Sequence, residues 1–300
     1  MTVVPVCLFA YARPDHLRQT LACLRENEVP LLYVFSDGPR TPAQRSAVAQ
    51  VRELLRSIDW CEVVLQEQPE NLGLGKSILL GVSAVLRRHP ATLVFEDDLI
   101  CVPGTYRYLT AALRHYADDS RVMSVTGWTH PRVIPSHVTS EPYFDGRAEC
   151  WVWGTWSRAW DGMEKPARML MQECRRRGLD IYRYGADLVE MAEVEQQRNI
   201  WAVRFIYLHM LKGGLCLRPP WSLVEHIGFD ALATNARSAD GWAQTALRPC
   251  PPLPAAWPEP VEAPECPSLW QRAFGSRPGA ARRGLRRLKQ LLRPLIRPSL

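Results

Sequence analysis

The run Thr92-Leu93-Val94-Phe95-Glu96-Asp97-Asp98 ends an apolar stretch in three successive carboxylates. Anions this close to a buried segment are costly unless a cation or hydrogen-bond donors compensate them. In an extended chain Glu96 and Asp98 point to one side and Asp97 to the other. One side can offer an oxygen to Mg²⁺ or Mn²⁺ while its neighbour accepts hydrogen bonds. Both ions keep coordination positions open for substrate phosphates. The plainer reading is a capped helix start with Asp98 in a solvated turn.

A second stretch, ENLGLGKSILL (70–80), joins a Gly-rich turn to Lys76-Ser77 and an apolar helix start. A nucleotide-hydrolase loop needs a Gly five positions before Gly75, so that backbone amides can wrap the phosphates. Glu70 stands there, which argues against ATP hydrolysis. What remains is a turn that either holds phosphates for another purpose or simply starts a helix with Lys76 solvated.

These residues need elements to position them, and the chain alternates accordingly. Strand-like runs at 3–11, 31–36, 63–66, 92–96 and 122–127 are separated by helical patterns at 15–26, 42–57, 75–88 and 104–116. In the second helix Val48, Val51, Leu55 and Ile58 face inward. This alternation predicts an α/β fold: a doubly wound, mostly parallel sheet with helices on both faces. Ligands then collect at the carboxyl ends of the strands, where Tyr11–Asp15, Ser36-Asp37-Gly38, Asn71–Lys76 and Glu96–Asp98 all fall. Residues 143–165 read as aromatic and irregular, with Trp151, Trp153, Trp156 and Trp160 among eleven tryptophans. Helical patterns follow at 165–177 and 186–213.

The expected organisation is a domain over 1–236, a proline-rich linker over 237–270 and a basic amphipathic tail over 271–300. The net charge of +6 belongs to that tail, which holds nine Arg/Lys and no acid. The remainder carries 28 basic against 31 acidic residues, so the body does not suit a polyanion such as nucleic acid. Leu285, Leu288, Leu292 and Leu295 recur among the tail arginines, a pattern suited to an anionic membrane surface or to a solvated charge run. No apolar run approaches the ~20 residues of a membrane span. The start has no basic leader region and reads as a first strand. Nine cysteines without a Cys-x-x-Cys pair argue for reduced thiols in a cytosolic compartment, without zinc or a disulfide framework.

The order of Arg13-Pro14 after strand one, then VFSDGPR, NLGLGKS and FEDDL resembles nucleotide-sugar glycosyltransferases of the GT-A fold. The nearer resemblance is to bacterial glycosyltransferase family 2-like proteins, and a more distant one is to N-acetylglucosaminyltransferase I. CWVWGTWSRAW, NIWAVRF and SLVEHIGFDALATN extend it over residues 3–236. The resemblance implies a Rossmann-like GT-A domain that uses Mn²⁺ or Mg²⁺ and a nucleotide-diphosphate sugar, with a UDP-sugar favoured. It implies transfer to a glycan or lipid-linked acceptor in cell-surface polysaccharide synthesis, at the inner face of the cytoplasmic membrane if the tail attaches there. Arg13 and Asp37 match positions at base and ribose, and Lys76 matches one near the diphosphate. Asp98 matches the metal-binding Asp, with Glu96 and Asp97 toward sugar and ribose. His226 is a further metal or phosphate contact, or else an ordinary core or surface histidine.

Displacing a diphosphate needs its charge neutralised, and an inverting transfer needs a carboxylate to take the acceptor proton. Many relatives place Asp where this chain has Asn199, and an amide is no base. Glu195 and Asp187 are the substitutes within the segment. The tryptophans are either a sugar-stacking platform or core. Two other classes stay open: a non-catalytic sugar-nucleotide or glycan-binding module, which Asn199 keeps open, and a sugar-phosphate nucleotidyltransferase, which the absence of Gly in YARPDH disfavours.

Overall fold

The computed structural model describes residues 3–229 and 246–277. Its first half alternates β1 (Val6–Ala10), α1 (Pro14–Glu26), β2 (Leu31–Ser36), α2 (Arg45–Arg56), β3 (Glu62–Glu67), α3 (Leu74–Leu86) and β4 (Ala91–Glu96). Short β5 (Leu99–Cys101), α4 (Thr105–His115) and β6 (Val122–Thr126) follow. All five β1 residues are buried, as befits a strand covered on both faces. The outer strand β3 instead alternates exposed and part-buried positions. In α2, Val48, Val51 and Leu55 are buried at the expected spacing, so the helix packs through one stripe.

After β6 come β7 (Tyr143–Asp145), β8 (Trp153–Trp156), α5 (Ser157–Trp160), α6 (Ala167–Arg176), α7 (Asp187–Arg198), α8 (Ala202–Lys212), β9 (Leu215–Arg218), β10 (Val224–His226) and α9 (Cys266–Phe274). The eight-stranded sheet has the order β3-β2-β1-β4-β8-β6-β9-β7. Strands β1 to β4 pair in parallel, and β6 pairs in parallel with β9. Antiparallel β8 lies between β4 and β6, and antiparallel β7 forms the far edge. The doubly wound, mostly parallel sheet expected from the alternation is therefore found, with β7 and β8 running against it. Strands β5 and β10 form a separate antiparallel ribbon that sets His226 opposite Leu99.

Two expectations are corrected. The stretch 143–165 is not irregular: it supplies two sheet strands, hidden from periodicity because they are three and four residues long. The stretch 246–270 is not a free linker. Tyr116 donates its hydroxyl to the Pro258 carbonyl at 2.6 Å, Trp257 packs on Tyr108, and Phe144 bridges to Glu262. Trp270 on α9 is 1% exposed and donates to Asp145 Oδ2 at 2.8 Å. Prolines set an extended strap at low entropic cost, and the aromatic residues between them anchor it. Gln271–Phe274, assigned to the tail by sequence, complete α9. The leucine stripe from Leu285 lies outside the described residues. No helix among the described residues is long and apolar enough to cross a membrane.

Candidate functional site

Strand order reverses between β1 and β4: β2 and β3 lie on one side of β1, and β4 lies on the other. An open α/β sheet forms its ligand crevice at such a point. The chain leaving β1 and the chain leaving β4 meet there. The Tyr11 backbone N–H donates to Asp97 Oδ2 at 2.7 Å, and Arg13 Nη1 donates to Asp98 Oδ2 at 2.6 Å. Thr20, buried on α1, donates its hydroxyl to the carbonyls of Asp97 and Leu99, fixing the backbone of the acidic turn. From the ribbon, Ile227 N–H donates to the Asp98 carbonyl at 2.9 Å.

The structure thus brings Arg13, Asp97, Asp98 and His226 together. His226 Nε2 faces Asp98 Oδ2 at 3.6 Å, and its Nδ1 accepts from the Gly228 N–H at 3.1 Å. With Nδ1 accepting from Gly228, a neutral ring carries its proton on Nε2, the nitrogen that faces Asp98. Burial lowers its pKa, favouring that neutral form. A Cβ at Gly228 would overlap the Asp98 carboxylate and the Arg13 guanidinium, so only glycine allows the chain this close.

Charge in the turn is crowded. Burial first, then Asp98 and Asp97, push Glu96 well above the usual carboxylate range. Burial and Asp98 raise Asp97 to about 7, opposed by the Tyr11 N–H and Arg13. Asp98 Oδ1 is buried and has no hydrogen-bond partner. No three His, Cys, Asp or Glu side chains converge as a metal cage among the described residues. The donor set fits a cation that takes one carboxylate from the protein and the rest of its oxygens from substrate phosphate and water.

Asp37 is used differently from the expectation that it meets the base. Its Oδ1 accepts from the N–H groups of Gly38 and Leu72, and its Oδ2 accepts from Asn71 Nδ2 and the Gly73 N–H, all within 3.0 Å. Both oxygens are thereby engaged in shaping the Gly-rich loop. Asn199 then fills that loop: a Cβ at Gly73 would overlap its Nδ2, and one at Gly75 would lie 2.6 Å from its Oδ1. Asn199 ends α7 in the left-handed conformation, φ 56°, a helix-ending role that asparagine tolerates. Lys76 is exposed and lines a separate groove of about 490 Å³ with Leu80, Arg87, Trp160 and Asp161. The structure does not bring it to Asp98.

Neither substitute base is placed to act. Glu195 is 4% exposed, accepts from Arg204 Nε at 2.6 Å and caps α6 through the Ala167 N–H. Asp187 pairs with both terminal nitrogens of Arg147, whose guanidinium lies over Trp270 and Phe274. Both carboxylates join structural elements. The four tryptophans divide: Trp153, Trp156 and Trp160 are buried at 5% or less, whereas part-buried Trp151 packs on His226 at 4.9 Å and on Trp128. Sequence reasoning missed the Tyr11 amide and Thr20, whose roles are backbone or hydroxyl contacts that no pattern encodes; Gly228 fell within the quoted SLVEHIGFDALATN segment, but its close approach to Asp98 and Arg13 did not show there.

Fold and site define an α/β protein with an acidic turn at the switch point of its sheet. No protein-family model matches the chain, and no curated protein matches it. Among solved structures it is similar to the mannosyltransferase PcManGT from Pyrobaculum calidifontis in complex with GDP-Man and Mn²⁺, at 15% identity and TM-score 0.37, over 59% of this chain and 46% of that one. It is also similar to S. aureus TarS 1–349, at 10% identity and TM-score 0.43, over 76% of this chain and 61% of that one. A third likeness is to mannose-1-phosphate geranyltransferase from Thermus thermophilus, at 13% identity and TM-score 0.33, over 73% of this chain and 74% of that one. The chain spans less than two thirds of the first two. At these identities and scores the likeness assigns no activity to this chain.

Proposed function

We propose that the chain is a cation-dependent glycosyltransferase. It moves a sugar from a nucleoside-diphosphate donor to a hydroxyl of a glycan or lipid-linked acceptor in cell-surface polysaccharide assembly. The observation that carries this reading is the orphaned, buried Asp98 Oδ1 at the sheet's switch point, beside an Asp98 Oδ2 held by Arg13. A divalent ion held at Asp98 would neutralise the charge that grows on the leaving diphosphate. Arg13 orients Asp98, and the Tyr11 amide orients Asp97. The Asp37-braced loop leaves a polar recess of about 420 Å³, lined by Arg40, Asn71 and Asn199, beside the β2 and β3 ends. A nucleoside suits that recess, with UDP favoured by the motif resemblance. The basic, leucine-striped tail supports attachment to an anionic membrane face.

The test is incubation of the full chain with UDP- and GDP-sugars and Mn²⁺, measuring nucleotide released. Release from one donor class, dependent on the ion, is the expected result. A second reading, a sugar-nucleotide-binding module without turnover, is favoured by the amide at Asn199 and by the engagement of Glu195 and Asp187. Binding with no release under any acceptor would establish it.

A further inference from the structure

The three residues that sequence offers as a base are an amide and two carboxylates locked in ion pairs. Glu149 is held less closely, 3.6 Å from its arginine against 2.5 Å for Glu195 and 2.8 Å for Asp187. It precedes β8, and its side chain is 14% exposed; Oε1 accepts from the Cys150 N–H at 3.0 Å, and Oε2 stands 3.6 Å from the Arg218 guanidinium. Arg218 is wholly buried and already engaged by Asp145 and by the carbonyls of Trp128 and Arg147. It therefore fixes Glu149 from behind.

Two relationships direct this segment to the acidic turn. β8 runs antiparallel to β4 with Trp153 opposite Val94, so the residues that enter β8 from Glu149 arrive beside the chain leaving β4. Trp151 packs on His226, which faces Asp98. Glu149 also lines a cavity of about 70 Å³ shared with Cys150, Met191, Trp201 and Phe205. A third observation concerns the backbone. Val152 has φ 45°, an outlier for a β-branched residue. It breaks the alternation, so that Trp153 enters the core while Trp151 stays at His226. Strain of this kind clusters at functional sites.

We infer that Glu149 takes the proton of the acceptor hydroxyl. The inference rests on the transfer reading above and assigns the step it leaves without a base. The acceptor O–H bond breaks and its proton passes to a Glu149 carboxylate oxygen. The acceptor oxygen's electron pair forms the new bond to the anomeric carbon, and the bond from that carbon to the diphosphate oxygen breaks, its pair leaving with the diphosphate.

The test uses the full chain with Mn²⁺ and UDP- and GDP-sugars, reading nucleotide affinity by calorimetry and nucleotide release with water as acceptor. Glu149→Gln is expected to bind within about twofold of the parent and to release nucleotide about a hundredfold or more slowly, the scale of a lost base. Formate should restore release to Glu149→Ala, an effect that a purely structural role would not show. Glu149→Asp keeps the charge opposite Arg218 and controls for folding. Release from Glu149→Gln close to that of the parent overturns the inference and leaves the transfer reading standing. A parent chain that binds no nucleotide, or binds without releasing it under any acceptor, overturns both.

Discussion

Arg13 Nη1 and Asp98 Oδ2 lie 2.6 Å apart, both side chains 11% exposed, and their pairing ties the end of β1 to the end of β4. The two residues are 85 positions apart, yet β1 and β4 are neighbours in register, Val6 opposite Leu93 and Phe9 opposite Glu96. Sheet pairing alone delivers both segments to one crevice. Arg13→Ala should therefore release Asp98 and weaken ion-dependent nucleotide binding, and should also lower stability by about 3–5 kcal/mol, because it leaves a largely buried carboxylate without its cation. Calorimetry beside a thermal melt separates the two effects.

The strap makes a separate claim. Trp270 is 1% exposed against the Asp145–Arg218 pair, both of whose side chains are fully buried. Trp270→Ala should cost about 3–5 kcal/mol through cavity formation and a lost donor to Asp145. Asp145→Ala, which strands a buried guanidinium, should cost a similar amount. A free linker would give a change near zero in a denaturant titration.

Asn199 and Gly75 should couple. Gly75→Ala brings a Cβ to 2.6 Å from Asn199 Oδ1, and Asn199→Gly removes that atom while keeping the left-handed backbone accessible. The double variant should be more stable than the sum of the singles by about 0.5–3 kcal/mol. Part of the Gly75→Ala cost should persist, since the Asn199 carbonyl oxygen lies 2.8 Å from the same Cβ. Additive behaviour would mean the loop and the α7 end do not touch in solution.

How far the sequence foretold this arrangement depends on the kind of signal. β1 to β4 and their helices were legible because each is long enough to show its period, and Arg13, Asp97 and Asp98 were legible because they follow strands. β7 and β8 were not: Trp153 and Trp156 read as an aromatic loop, and Gly154 between them weakens a strand pattern although it packs against Leu93 and Val125. Asp37 was legible as a crevice residue because it follows β2, but its bracing role was not, since a sequence does not show that one carboxylate will take up four donors, three of them from a loop 34 to 36 residues away. The partition of Trp151 from Trp153 turns on one φ angle at Val152, which a valine gives no reason to expect. Proline density misled at 246–270, because it marks extended backbone whether or not that backbone is packed.

His209 predicts how stability depends on pH. It is fully buried, donates from Nδ1 to the Phe205 carbonyl and accepts from the Ser124 hydroxyl, both at 2.8 Å. Burial lowers its pKa from 6.5 to about 3. Below pH 6.5 the unfolded chain takes up a proton that the folded chain refuses. Its contribution is therefore intact above pH 6.5 and is lost as pH falls toward 3, by about 1.4 kcal/mol per unit. Between pH 7.5 and 4.5 the parent should lose about 2–3 kcal/mol more than His209→Gln in urea titrations. Equal losses would remove His209 as the cause.

The central claim is that Asp98, held by Arg13 and with one oxygen unpartnered, forms a cation site for a nucleoside diphosphate. The direct measurement is calorimetric titration of UDP and of GDP into the full chain, with and without Mn²⁺, beside Asp98→Ala. The result expected is binding of one nucleotide that requires the ion and disappears in the variant. Binding unchanged by Mn²⁺ and retained by Asp98→Ala would contradict the claim, as would no binding of either nucleotide.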